Sequence, residues 1–253
     1  MEQLIERCAG IDVGQAEVVV CVRVPDRVTD KPTELVMTYG TTTPDLLELH
    51  DWLAGLGVTD VVMESTGVYW KPVYYLLEDA FSVIPVNAAH VKPVPGPKTG
   101  TIDAVWLAQL LAHGLLSASF VPPKPIRELR DLTRYRKALI NERTAWVNRV
   151  HNVLQDAGIK ISTFASDVFG VSGRAMMRAL IAGRDDPTVM ADLAQRRMRV
   201  KIPELTKALT GRFGAHHAFL LERMLDHVQA QEAGICALDK RIEEVLDPFA
   251  VPG

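Results

Sequence analysis

Only three cysteines occur in 253 residues, Cys8, Cys21 and Cys236, and they are widely spaced with no CxxC pair. That excludes a disulfide framework and reads as reduced thiols, with Cys21 packed in a strand. No apolar run approaches the roughly 20 residues that cross a bilayer. The start, Met1-Glu2-Gln3-Leu4-Ile5-Glu6-Arg7, is too charged for a signal peptide. The expectation is a cytoplasmic protein without membrane contact. HExxH and GxxxxGK[ST] are both missing, which removes the zinc-protease and P-loop readings. His216 and His217 are adjacent on a helical pattern and cannot face one metal together. Ser65 and Ser172 lack a base at recognisable spacing.

What is present describes a globular chain, 48 % apolar and 23 % charged, long enough for one large or two ordinary domains. The net charge of −3 is unevenly shared. Residues 1–122 hold 7 Lys+Arg against 15 Asp+Glu, whereas residues 123–253 hold 21 against 16. An acidic half beside an arginine-rich half fits a metal site next to a phosphate-binding surface. Ordinary helical surfaces rich in Arg and Glu would give the same imbalance.

Three carboxylates stand at element ends. Asp12 lies in Gly10-Ile11-Asp12-Val13-Gly14, Glu64 ends the apolar run Asp60-Val61-Val62-Met63, and Asp103 opens an amphipathic helix. An α/β sheet gathers such positions from distant parts of a chain. Gathered acids repel, and a hard cation between them, Mg²⁺ or Mn²⁺, resolves the repulsion and suits phosphodiester chemistry. Each acid also has a plain reading: Asp12 caps a turn, Glu64 caps the following helix, and Asp103 is a first-turn acid favoured by the helix dipole. Lys98, just upstream of Asp103, either offsets phosphate or carboxylate charge or is an ordinary exposed loop lysine. Asn87 and His90 follow a strand and could face the same point.

Alternation over 8–24, broken at Gly14-Gln15, predicts two strands joined by a tight turn, and Glu34 to Tyr39 a third. Thr43 suits the N-cap of a helix through Leu53, stopped at Gly55 and Gly57. A strand at Val61 to Glu64, a helix containing Trp70 to Leu77 and a strand at Ser82 to Val86 follow. Ala88 to Thr101 reads as an irregular loop. The next helix, from about Ile102 to His113, is expected to turn Ile102, Trp106 and Leu110 inward with Ala104, Leu107 and Leu111. This order is that of an RNase H-like sheet.

Pro122-Pro123-Lys124-Pro125 marks a boundary, giving expected domains 1–122 and 123–253. Beyond it a long helix is predicted from Ile126 to about Ala157. Shorter ones follow at Gly173 to Gly183, Thr188 to Arg199 and Pro203 to Gly211. A last segment from His216 to Leu246 suits a helix hairpin or coiled-coil arm. Arg130, Arg134 and Lys137, continued by Arg143, form a basic face able to follow a phosphate backbone, with Tyr135 and Trp146 as stacking surfaces. The alternative is that Asp131 and Glu142 neutralise this face. The turn Asp167 to Arg174 either holds a phosphate or joins two helices. The chain stops at Pro252-Gly253, a turn signal following a long helix, which reads as a fragment or as a natural tail.

The chain resembles the DEDD-type insertion-sequence transposases with a RuvC-like N-terminal domain, the bridge-RNA-guided recombinases. The resemblance rests on Gly10-Ile11-Asp12-Val13, on Met63-Glu64-Ser65-Thr66-Gly67-Val68-Tyr69-Trp70 and on Lys98-Thr99 ahead of Asp103-Ala104. It continues through Leu129-Arg130-Asp131-Leu132-Thr133-Arg134-Tyr135-Arg136 and Phe169-Gly170-Val171-Ser172-Gly173-Arg174. It implies an α/β, RNase H/RuvC-like mixed sheet followed by an all-α, coiled-coil-like arm. It further implies a Mg²⁺ site at Asp12, Glu64 and Asp103, DNA and a structured non-coding RNA as partners, a homo-oligomer, and a C-terminal serine domain that these residues do not include. The fourth family acid is expected three residues before Asp103, where this chain has Gly100. The site then holds one ion with water in the vacant position, or is defective. Other readings are a stand-alone RuvC-type nuclease and a catalytically silent nucleic-acid-binding remnant. An actin-like ATPase ranks last, since a second phosphate-binding glycine loop is lacking.

Overall fold

The structure, a computed structural model, describes residues 4–26, 31–65, 67–87, 100–164 and 167–247. Two compact units divide the chain, Met1–Val121 and Pro122–Gly253.

In the first unit, β1 (Cys8–Val13), β2 (Glu17–Val24) and β3 (Thr33–Gly40) form an antiparallel meander, while β4 (Asp60–Glu64) and β5 (Ser82–Val86) run parallel to β1. The resulting order, β3-β2-β1-β4-β5, is the sheet arrangement expected of an RNase H-like domain. Helices α1 (Thr43–Gly55), α2 (Trp70–Leu77) and α3 (Gly100–Ala112) complete the unit. Strand side chains alternate between faces, and both faces of this sheet are covered. Ile11, Val20, Val22, Val61 and Met63 pack with Leu49, Leu53, Val73 and Leu77 from α1 and α2. Cys8, Val62 and Val86 pack with Leu107 and Leu111 from α3, and Cys21 packs with Ala104 and Ala108. Burial on both sides leaves the β2 thiol Cys21 pushed up to about 12 and the β1 thiol Cys8 to about 11, so both are inert packing groups.

Two expectations need correction here. Thr42, not Thr43, caps α1, and its hydroxyl donates to Asp45 instead of capping through its oxygen. The inward face of α3 is Ala104, Leu107, Ala108, Leu111 and Ala112, whereas Ile102 is exposed and Trp106 and Leu110 only half-buried. The reason is steric. A β-carbon on Gly10 would run into the Ala104 carbonyl oxygen and the Ala108 amide nitrogen, so α3 lies with its backbone against β1 and offers small residues there.

The second unit is helical. Its long helices are α4 (Lys124–Asp156) and α9 (Ala215–Leu246), with α5 (Ile161–Phe164), α6 (Val171–Ile181), α7 (Pro187–Ala191) and α8 (Ile202–Ala208) between them. The segment expected as one helix from Thr188 to Arg199 is broken. After α7 the chain extends at Gln195 and closes into a 3₁₀ turn over Arg196–Lys201. Residues 216–246 lie within one continuous helix, α9, which pairs antiparallel with α4. Arg136 bonds Asp239, Arg143 bonds Glu232 and Trp146 stacks on His227. Their core holds Val150, Leu154, Met176, Met177, Leu205, Leu221 and Val228. Burying each such side chain contributes about 1.5–3 kcal/mol. No helix among the described residues is long and apolar enough to cross a membrane.

Candidate nucleic-acid and metal site

Parity places the first two acids. Gly10 faces α3, so Asp12, two residues on, projects to that face beside the start of α3. In the parallel β1–β4 ladder Ile11 pairs with Met63, which makes Asp12 and Glu64 neighbours at the carboxyl ends of adjacent strands. Val62 packs on α3, so Glu64 shares its face. Asp103 arrives on the first turn of α3. The side of the sheet is further secured by Arg23, which bonds Glu34, and by Gln109 Nε2, which donates to Glu34 at 3.2 Å.

All three acids are half-buried. The Asp12 carboxyl is held above its ordinary range by burial first, then by the charge of Asp103, then by that of Glu64. A carboxylate disfavoured by two others and by desolvation gains from a cation. Hard oxygen donors in this number suit Mg²⁺ or Mn²⁺. In their present rotamers, no three Asp, Glu, His or Cys side chains among the described residues form a ready cation cage. The donor chemistry fits, and the carboxylates would have to turn inward.

Gly100 occupies the position of the expected fourth acid. A β-carbon there would stand 2.8 Å from Asp12 Oδ2 and 3.0 Å from Val19 Cγ2, so a side chain at 100 would point at Asp12. Gly100→Asp should therefore add a charge directly to the cluster. In EDTA its melting temperature should fall by several degrees. Saturating Mn²⁺ should then raise it by more than it raises the parent. Equal Mn²⁺ shifts for both chains would mean that position 100 adds no ligand.

Lys98 and His90 lie outside the described residues, and Asn87 is exposed just past β5. On α4, Arg130, Arg134 and Lys137 are exposed. Arg143 does not continue their stripe. It turns inward, where Nη2 meets Glu232 Oε1 at 2.8 Å, and Arg174 reaches the same carboxylate at 2.6 Å. Nor is Trp146 a free stacking surface, for His227 covers one face at 4.0 Å and Arg149 lies 4.2 Å from its ring centre. Tyr135 is 58 % exposed. Glu142 accepts from Gln231 and does not neutralise the stripe. In the turn Asp167 to Arg174, the Asp167 carboxylate accepts the Phe169 amide and Arg174 donates to the Phe169 carbonyl, so those groups tie helices together.

A mixed β3-β2-β1-β4-β5 sheet with acids collected at the ends of β1, β4 and α3 belongs to the RNase H-like class. A family model of DEDD transposases of the IS110 type, described as "Transposase", matches residues 9–159, and the chain belongs to that family. Among solved structures, a Thermus thermophilus RuvC structure is similar at 14 % identity with a TM-score of 0.32, covering 45 % of this chain and 99 % of its own. No curated protein matches. The chain is thus a transposase-family protein of DNA transposition.

Proposed function

We propose that the first unit presents Asp12, Glu64 and Asp103 to a divalent cation and that the second unit holds nucleic acid, the two serving strand exchange during transposition. The carrying observation is the convergence of three carboxylates at one point, where burial first, and then the charges of Asp103 and Glu64, raise the proton affinity of Asp12. Bound there, Mg²⁺ would offset phosphate charge and polarise a scissile phosphodiester. Asp12 and Glu64 hold the sheet side of the site, and Asp103, on the first turn of α3, holds the helix side. Arg130, Arg134 and Lys137 bind phosphates along α4, and Tyr135 stacks on an unpaired base of a structured RNA.

Asp12→Asn tests the cation. Because the folded pKa of Asp12 is raised, the stability it contributes is present below its unfolded pKa and is lost as pH rises through the folded value. At neutral pH and without metal, the Asn chain should melt higher than the parent. It should also lose the upward shift that Mn²⁺ gives the parent. Coincident parent melts with and without Mn²⁺ would refute the metal site. Cleavage of branched DNA by this chain alone, with Mg²⁺ and no RNA, would favour a stand-alone nuclease instead.

A further inference from the structure

In the second unit an open cavity of about 970 Å³ lies between the start of α6 and the 3₁₀ turn at Arg196–Lys201. Arg196, Arg197 and Lys201 line it, and among the described residues the one acid on its wall is Asp167. The Asp167 carboxylate is already engaged by the Phe169 amide at 2.9 Å. Three cations against one occupied acid leave a concave, positive surface, the shape and sign that a polyanion requires.

The cations are held there at a cost. Arg196 has φ 51°, the left-handed region, and is the one non-glycine residue with positive φ among the described residues. A side chain in that region is strained relative to glycine or asparagine. The strain is imposed from two sides. Upstream, the Gln195 amide donates to the buried Ser172 hydroxyl at 2.9 Å, which anchors the extended residue before the turn. Downstream, Lys201 Nζ donates to the Phe164 carbonyl at 2.9 Å and closes the far wall. Between these anchors the chain must reverse sharply, and the reversal leaves both Arg196 and Arg197 exposed on the cavity wall. A glycine at 196 would make the same turn without strain, so packing alone does not call for arginine.

We propose that this cavity is a second nucleic-acid site, one that grips the phosphodiester backbone through Arg196, Arg197 and Lys201 separately from the α4 stripe. It rests on the reading of this unit as nucleic-acid-binding. The contact is to phosphates and carries no base preference. RNA and DNA offer the same group, and the probes below separate them.

The full chain is titrated with a hairpin RNA and with a duplex DNA of equal length over a range of salt. Arg196→Gln/Arg197→Gln removes two phosphate contacts and leaves the Lys201 anchor intact. Its log–log salt slope should shrink by about 1.5 relative to the parent, since each contact contributes roughly 0.7 to 0.9. The probe on which this happens identifies the strand held. Val171→Glu, at an exposed position on the same wall, places an acid at the mouth without touching an arginine and should weaken binding likewise. Arg196→Gly should raise the melting temperature while lowering affinity, a pairing that a purely structural arginine would not give. An unchanged slope for the Arg196/Arg197 variant, with α4 charge reversal still weakening binding, overturns the cavity site and leaves the α4 reading standing. A parent chain that binds neither probe overturns both.

Discussion

Gly10→Ala should be among the most damaging single substitutions in the first unit. The added methyl meets backbone atoms, the Ala104 carbonyl and the Ala108 amide, and not the movable end of a side chain. Neither partner can yield unless α3 lifts away from β1. Lifting it opens the seam at Ala104 and Ala108, both fully buried, and loosens Leu107 and Leu111 behind them. Overpacking of this kind costs about 1–3 kcal/mol, and the secondary loss of apolar contacts carries it toward 4 kcal/mol. Urea denaturation of the parent and variant would measure it. The damage also reaches the candidate site, because the same seam sets how near Asp103 approaches Asp12. Mn²⁺ should therefore protect the variant less than the parent. If Gly10→Ala unfolds at the parent's midpoint, α3 does not rest on the sheet as described.

Much of this first unit was legible in the sequence because its signals are local. The alternation of Val18 to Arg23 and the break at Gly14-Gln15 define a hairpin without any knowledge of partners. Apolar runs bounded by turn residues place β4 and β5 in the same way. The face of α3 was not legible. Apolar residues surround that helix, so periodicity could not choose among them, and the choice was made by a glycine ninety-odd positions earlier in the chain. The basic face of α4 was half legible for a similar reason. Spacing groups Arg130, Arg134 and Lys137, but the fates of Arg143 and Trp146 depend on Glu232 and His227, which belong to a helix far along the chain. Arg196 lay hidden inside a segment that reads as helix, Thr188 to Arg199, since nothing in its composition announces an extended Gln195 followed by a left-handed residue. The convergence of Asp12, Glu64 and Asp103 came from element order and family resemblance together, and strand parity now supplies its physical basis.

The distribution of charge on α4 leads to the other large effect. Its inward arginines are committed: Arg136 to Asp239, and Arg143 to the Glu232 carboxylate that Arg174 also holds. Its outward cations are different. Among the described residues the side chains of Arg130, Arg134 and Lys137 make no ion pair or hydrogen bond, and they sit four and three residues apart on one exposed side of the helix. Three solvated cations in a row contribute little to stability, whereas each phosphate they meet releases a condensed counterion. Reversing all three to Glu should therefore leave the melting temperature within a degree or two of the parent, because the α4–α9 pairs are untouched. The same variant should bind a structured RNA on the order of a hundredfold more weakly at moderate salt, with a salt slope smaller by about 2 to 3. Tyr135→Ala should weaken single-stranded RNA without changing that slope, since stacking releases no ions. A triple variant that keeps the parent's affinity and slope would assign this face of α4 to contact between protein copies and place the RNA elsewhere.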